Sequence, residues 1–370
     1  NTTASNNTAV GYYALVANTT GNSNVAVGTN SLDANTTGGA NTAVGHQALT
    51  ANTTAADNTS VGYNSLVANT TGASNTAVGS GALNANTTAG KNVAIGRIAM
   101  QLNTTGIENV GIGYQALYSN TTANGNVSLG AYSLVTNQTG SNNVAVGKNA
   151  LYSSSSASNN TAVGHNALLA NTTGAQNTAI GTSAGNSITD GGHNVLVGYL
   201  AGESITTGDY NIIMGIDCEP SGVDGQNQIV IGTANIVGKG NSTGFISPSG
   251  GGVYQGNNST TWSTTSDERL KKNIVDNNEG LSIIDQVRVR NFEYRTADEI
   301  TELQASDVIE RSGTQLGVIA QELEAVAPRC VKTESTGVKT VDSDELFWHM
   351  LNSIKELSAK VAELEAKIGD

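Results

Sequence analysis

The chain has 370 residues, a formal charge of −13, 44 glycines, three prolines and 4% aromatic residues. A globular chain of this length normally builds two or three cores rich in Leu, Phe and Ile, but all three phenylalanines (Phe245, Phe292, Phe347) and both tryptophans (Trp262, Trp348) lie in the last third or so. Only four of the 17 basic residues (Lys91, Arg97, Lys148, Lys239) precede residue 241, and the acidic balance argues against a nucleic-acid partner.

No apolar run approaches the ~20 residues of a membrane helix, so no membrane insertion is expected, and no leader pattern opens the chain. The first residue, Asn1, already stands inside a repeat, as expected of a fragment or processed product. Cys218 and Cys330 have no motif spacing, which points to neither a disulfide framework nor a metal site. No cofactor is expected.

From the first residues a repeat runs unbroken. Gly11, Gly28, Gly45 and their successors recur every 17 residues through Gly113 and Gly198 to Gly232. An aliphatic residue precedes each glycine, as Val10, Val27 and Ile231 do. Asn stands four residues before it, from Asn7 to Asn211, with Gln228 in the last copy. Most copies follow with Ala or Ser and then Leu, as in Ala48-Leu49, and turn on Asn-Thr-Thr, as at Asn18-Thr19-Thr20. Fixed periods of this size build solenoids.

A unit such as Thr42-Ala43-Val44-Gly45 reads as a short strand with period-2 inward positions, Ala48-Leu49 as a second apolar point, and Gly as the residue for positive φ or close backbone approach. Stacked at ~4.8 Å per rung, the copies make a rod of roughly 65 Å. The Asn before each strand is expected to stack as an amide ladder, bonding the rungs above and below. The inward residues are mostly Ala, Val and Leu, so the column is thin, and one flank of each coil is expected to be buried by a neighbouring chain.

Units like Asn92-Val93-Ala94-Ile95-Gly96 resemble the left-handed β-roll heads of trimeric autotransporter adhesins, with a repeat a few residues longer here, and are similar to repeats in phage tail fibres. The resemblance covers about residues 1–235 and implies a left-handed β-roll or β-solenoid shaft in a homotrimer.

Other uses of the repeat fit less well. Asn-Thr-Thr is formally a glycosylation sequon, but its recurrence at one corner reads as a turn. An ice-binding face needs Thr-x-Thr on one flat side, whereas Thr19 and Thr20 are adjacent. Calcium-binding repeats need an acid in each turn, and a glycan-cleaving spike needs paired carboxylates. The shaft's acids, such as Asp33, Asp57 and Glu108, stand at unlike positions. His46 and His165 share the position after the glycine with Tyr12, Tyr63, Tyr114 and Tyr199, which reads as a solvent-facing stripe.

The period ends after Gly232. Residues 236–262 read as a capping and linking region over the open solenoid end. From 263 to 370 the composition becomes that of a small α+β domain. Thr265-Ser266-Asp267-Glu268-Arg269-Leu270-Lys271-Lys272-Asn273-Ile274 resembles the start of the intramolecular chaperone first known from phage endosialidase tailspikes, shared with other tail fibres and with the myelin regulatory factor of animals. Gly317-Val318-Ile319-Ala320-Gln321-Glu322, Pro328 and Thr340-Val341-Asp342 fit the same family.

The resemblance implies a catalytic dyad of Ser266 and Lys271, with the chain cut between Thr265 and Ser266. A serine hydroxyl needs a base close by, and a lysine serves if burial favours its neutral form. Assembly would supply that burial. Read without the family, Ser266 and Asp267 cap a short helix and both lysines are solvated.

Further on, Val287, Val289, Phe292 and Tyr294 predict a strand entered from a short helix around Leu281–Ile284. Asp342-x-x-Glu345 predicts a capping box. Phe347, Met350, Ile354, Leu357, Val361, Leu364 and Ile368 follow at 3,4 spacing and predict a coiled-coil seam over 346–368, with Lys360 and Glu365 placed for an interchain ion pair. β-branched residues at a and Leu at d by themselves favour two strands, so the trimer rests on the shaft and the family resemblance.

The functional expectation is a virion tail-fibre segment that attaches to a host cell-surface receptor, a glycan or outer-membrane component, and is matured by self-cleavage. The alternatives are a bacterial cell-surface adhesin built from the same modules, and a fibre that keeps its chaperone.

Overall fold

The computed structural model describes residues 3–248, 252–256, 262–264, 266–300, 309, 311–334 and 337–368. The chain divides into two compact units, Asn1–Ser266 and Asp267–Asp370.

The first unit is a β-solenoid of about fourteen turns. Its strands are β1 (Thr8–Val10), β2 (Val25–Val27), β3 (Thr42–Val44) and so on at each seventeenth residue to β12 (Val195–Val197), followed by the longer β13 (Ile212–Ile216) and β14 (Ile229–Ala234). Each pairs in parallel with the next, Ala26 opposite Ala43 and Ala43 opposite Ser60, in strict register until β13 and β14 slip by one residue after Met214, with Ile216 opposite Ala234. The repeat glycines end the short strands: from Gly11 to Gly215 they sit at φ between +129° and +140°. A Cβ on Gly113 would stand 2.6 Å from the carbonyl carbon and oxygen of Gly130 in the next rung. Gly232 departs from this, because β14 runs straight through it to Ala234.

Only the middle residue of each strand points inward. Ala43 and Ala94 are fully buried, whereas the flanking Thr42 and Val44 are half-exposed. The valines expected in the interior lie on the outer face, and the core column is instead Ala, Ala or Ser, and Leu. The buried leucines adopt an unexpected backbone. Leu32, Leu49 and Leu66 sit at φ between +49° and +57°, a region that costs an L-residue roughly 1–2 kcal/mol. Burying a leucine side chain returns about 1.5–3 kcal/mol, and its N–H is satisfied by the next rung (Leu49 N to Ser65 O, 3.1 Å). Burial wins.

The interior changes in the later rungs by compensation. Gly185 and Gly202 replace leucine at the same positive φ while Leu196 replaces the strand alanine. A Cβ on Gly185 would lie 2.5 Å from Leu196 Cδ1, so the large and small residues have exchanged places. Where serines occupy both small positions, Ser60 Oγ and Ser65 Oγ bond each other at 2.5 Å, as do those of Ser128 and Ser133.

Two asparagine columns are buried. The one before each strand bonds mainly backbone of the following rung: Asn41 N–H donates to Asn24 Oδ1 (3.0 Å), and Asn24 Nδ2 donates to Gly38 O (2.9 Å). Its bonds are chiefly side chain to backbone, and the expected amide-to-amide bonds join them at some rungs, as from Asn75 Nδ2 to Asn58 Oδ1 (3.2 Å) and Asn211 Nδ2 to Asn194 Oδ1 (3.0 Å). The more continuous stack belongs to the Asn of Asn-Thr-Thr: Asn35 Nδ2 donates to Asn18 Oδ1 (2.9 Å), and the chain of bonds continues to Asn137. These asparagines are buried, so the sequon reading fails for the folded shaft. The first threonine of the turn donates to the next rung (Thr36 Oγ1 to Thr53 O, 3.0 Å), while the second, as at Thr37, is exposed.

The amide stack breaks at Ser154, leaving Asn137 Oδ1 and Ser154 Oγ buried without a partner. Ser154→Asn should restore both bonds in a space the repeat already shapes for Asn. We expect a gain of about 1 kcal/mol, read as a shift of the denaturant midpoint with unchanged slope.

After β14 the stacking step falls to fifteen residues, with Ile229 opposite Gly244 of β15 (Gly244–Ser247). β16 (Val253–Gln255) and β17 (Trp262–Thr264) then add in antiparallel, closing a sheet of 17 strands.

The second unit is a small α+β region. α1 (Leu281–Ile284) leads to β18 (Arg290–Phe292), which pairs antiparallel with β19 (Gln315–Gly317). α2 (Ala320–Glu324), the pair β20 (Val331–Thr333) and β21 (Lys339–Val341), and α3 (Ser343–Ile368) follow. The helix at Leu281–Ile284 lies where the sequence placed it, but the strand after it begins only at Arg290, and Val289 is exposed.

Its buried core is Leu323, Ala327 and Cys330, backed by half-buried Ile283, Val287, Val318, Val331 and Leu346. α3 docks through one flank. Asn352 Nδ2 donates to Asn277 O (2.8 Å), and Leu281 N to Glu356 Oε2 (3.3 Å). A Cβ on Gly280 would meet Ser353 N at 2.5 Å, so the approach needs glycine. Only Ser353 of α3 is buried.

Asp342 caps α3, accepting from Asp344 N (3.1 Å), but the capping box is half-formed. Glu345 turns to Arg329 (2.8 Å), and Asp342 N–H goes to Cys330 O (2.8 Å). Lys332 beside Asp342 holds that carboxyl below the usual range.

Candidate functional site

Ser266 is exposed and is the last residue of the first unit. Thr265, on the other side of the expected cut, lies outside the described residues. Asp267 caps a single 3₁₀ turn, Glu268–Leu270, accepting from Arg269 N (2.9 Å). The Arg269 guanidinium also grips it in bidentate fashion (2.9 and 2.6 Å) and holds its carboxyl low. The cap reading is therefore realised by Asp267, not Ser266. Lys271 closes the turn, its N–H donating to Glu268 O (2.9 Å), and both Lys271 and Lys272 are exposed in the single chain.

Lys271 lines an open cleft of about 500 Å³ with Val275, Arg329, Glu345, Trp348, His349 and others. Arg329 and Glu345 are paired across it (2.8 Å). His349 is half-buried and its Nδ1 lies 2.8 Å from Glu279 O. Neither Arg329 nor His349 is singled out by the sequence, because each reaches the cleft only through the docking of α3. Glu322, the last residue of the Gly317–Glu322 stretch, pairs with Arg290 (2.7 Å) and ties α2 to β18.

On the shaft, Tyr12, Tyr63 and Tyr199 are more than half exposed, as a solvent-facing stripe requires, and His46 stacks on Tyr63 (5.3 Å, 13°). The acids prove less scattered than their repeat positions imply. Glu203, Asp217 and Glu219 bring one carboxylate oxygen each within 4.8 Å of the others. Glu219 accepts from Ser204 Oγ (2.6 Å) and Ser204 N (3.1 Å).

Burial, more than the Asp217 charge, raises the Glu219 carboxyl above its ordinary range. A carboxyl raised in the fold favours the folded state when protonated, so its contribution is complete in acid and is lost as pH rises through the raised value. Glu219→Gln keeps an acceptor for Ser204. Its melting temperature should exceed that of the unmodified chain at pH 8, and the gap should close as pH falls through the carboxylate range.

Residues 266–332 match the protein family described as Chaperone of endosialidase. The chain is also 30% identical over 105 residues to Myelin regulatory factor homolog 1 of Caenorhabditis elegans, a stretch covering 28% of this chain and 11% of that protein. It thus spans about a ninth of the curated relative it matches. No solved structure matches. The chain carries a C-terminal chaperone domain of the endosialidase type behind a β-solenoid of about fourteen turns. Among the described residues no helix is long and apolar enough to cross a membrane.

Proposed function

We propose that this chain is a segment of a homotrimeric phage tail fibre for attachment to a host cell-surface receptor, and that its C-terminal domain drives trimerisation and then releases itself by serine autoproteolysis. The observation that carries the reading is a chaperone match that begins at Ser266, immediately behind the last strand of a repetitive sheet.

Two apolar surfaces support self-association. The outer strand positions run as unbroken columns of Thr and aliphatics along the rod, with Val10, Ile95, Ile112, Ile180 and Ile212 each more than a third exposed. An apolar strip of that length marks an interaction surface. The seam residues Phe347, Met350, Ile354, Leu357, Val361, Leu364 and Ile368 are all exposed in a single chain. Three copies, as opposed to two, rest on the shaft and on the family resemblance.

The chemistry follows from where Ser266 stands. As the first residue after the scissile bond, its Oγ reaches the Thr265 carbonyl carbon through a five-membered ring. Lys271 takes the hydroxyl proton as the C–O bond forms. It returns that proton to the departing nitrogen as the C–N bond breaks, leaving an ester to Ser266 Oγ and a free α-amine. Water then hydrolyses the ester. A cut there leaves β17 and the rest of the sheet with the shaft.

Leu357→Asp tests the assembly. A charge in the seam costs at least ~2 kcal/mol per chain, so sedimentation should show the trimer lost and denaturing gels should show no cut. A trimer that persists and cuts at the unmodified rate would remove the coupling. Hydroxylamine added during cutting should leave a hydroxamate on Thr265, which an ester intermediate requires.

A further inference from the structure

We infer that the column of residues following the repeat glycines is a binding strip for a linear acidic polysaccharide, with one ring-and-base subsite every third rung. The inference rests on the attachment reading, and it names the ligand class and the face that takes it.

The column runs from Tyr12 to Tyr199 in steps of 17 residues, and it carries an order that the 17-residue repeat does not require. Rings stand at every third rung, as Tyr12, Tyr63, Tyr114 and His165. The rung after each ring has a small side chain, Thr29, Ser80, Ala131 or Thr182. The rung after that has a basic one, His46, Arg97 or Lys148, until Tyr199 takes the place of a fourth. The unit is therefore 51 residues long, or about 14 Å along the rod at ~4.8 Å per rung.

The base leans on the ring that follows it. His46 stacks on Tyr63 (5.3 Å, 13°), and the Arg97 guanidinium lies 5.8 Å from the Tyr114 ring centre, within cation–π range. One face of the ring is thus taken. On its other side the small residue leaves a gap one rung deep before the next base. Tyr63 is 57% exposed, and His46, Arg97, Lys148 and His165 are exposed as well. The column follows the glycine that ends each strand, so it is distinct from the apolar strand columns that association would bury.

The charge fits one kind of partner. None of the twelve residues in the column is acidic, in a chain of net charge −13. Of the four cations that precede residue 241, Lys91 is paired with Glu108 (3.0 Å) and Lys239 lies over the Phe245 ring (4.5 Å). Arg97 and Lys148 pair with no carboxylate among the described residues. A pyranose ring presents C–H bonds on one face, which an exposed aromatic ring takes by stacking, and a carboxylate on the same sugar can reach the base. One base per ~14 Å is too sparse for nucleic acid, whose single strand carries a charge every ~3.4 Å. It suits a polysaccharide with one acid in every few sugars. A straight strip with a fixed step also favours a linear polymer over a folded protein.

The experiment is titration calorimetry of the full chain with gellan, hyaluronate and polygalacturonate, and with dextran and oligodeoxythymidylate for comparison. At least one acidic polysaccharide should bind, more weakly as salt is added, and dextran should not. Arg97→Ser with Lys148→Ser should weaken binding roughly threefold to thirtyfold and flatten its salt dependence. Tyr63→Ser with Tyr114→Ser should weaken it about tenfold or more and leave the salt dependence unchanged. Ser80 already occupies this place in the repeat, so both variants should melt with the unmodified chain. Binding of none of the three acidic polysaccharides, unchanged binding in both variants, or tighter binding of oligodeoxythymidylate would overturn the strip. Bacterial envelopes separate the strip from the attachment reading. Envelopes that retain the unmodified chain and both variants alike leave attachment standing without the strip, whereas retention by none brings down the attachment reading itself.

Discussion

Ser266→Ala should leave a single uncut chain, where the unmodified protein yields a piece ending at Thr265 and one of 105 residues (370 − 265). The substitution removes one exposed hydroxyl and no packing, so the trimer should form with its chaperone attached. Loss of the nucleophile should slow cutting by at least ~10³-fold, the scale on which nucleophile removal acts. Lys271→Ala should match it through loss of the base. Lys272→Ala is the internal control, since the neighbouring lysine does not line the Lys271 cleft, and it should cut at nearly the unmodified rate. Normal cutting in Ser266→Ala would end the assignment, and an uncut unmodified chain would leave a chaperone that stays on its fibre.

Gly113→Val should produce the largest loss of shaft stability. Two costs coincide at this position. A β-branched residue at φ +137° meets strain of about 1–3 kcal/mol. Its Cβ also meets Gly130 C and O at 2.6 Å and Ala131 N at 3.0 Å, all backbone of the next rung, and overpacking adds roughly 1–3 kcal/mol. Gly240→Ala separates the two, because Gly240 has φ +129° with nothing within 4 Å of the added Cβ, and should show the strain alone. Because each rung touches only its neighbours, amide exchange should rise around β7 and β8 (Val110–Ile112 and Val127–Leu129) and stay unchanged near β1. Equal losses in the two variants would remove the close-approach argument for the repeat glycines.

Much of the architecture was legible because a solenoid is a translation along one axis, and a translation shows in one dimension as a period. The 17-residue spacing of Gly11 through Gly232 dictated the register of the parallel pairs from β1 to β13, and Ala48-Leu49 announced the buried column. The small helix at Leu281–Ile284 and the long C-terminal helix were readable from local periodicity. The Ser266–Lys271 pair was readable only through its flanking motif, since Ser-x4-Lys alone describes a helix cap equally well.

Side-chain direction was decided by closure of the coil, which spacing does not encode. Alternation along Thr42-Ala43-Val44 is the same whichever face is inward, and only the return of the chain through Leu49 and Asn52 puts Ala43 inside and leaves Val44 on the outer face. The same closure drives leucine into positive φ, because burying its side chain outweighs the strain. It also makes the turn asparagines the more continuous amide stack, by bringing them one rung apart in the dry interior. In the second unit, heptad spacing exposed the seam but said nothing of the opposite flank of α3. Docking of that flank on the 277–281 segment is what brings His349 to Glu279 O and into the cleft of Lys271, across at least 70 residues of sequence that carry no trace of the contact.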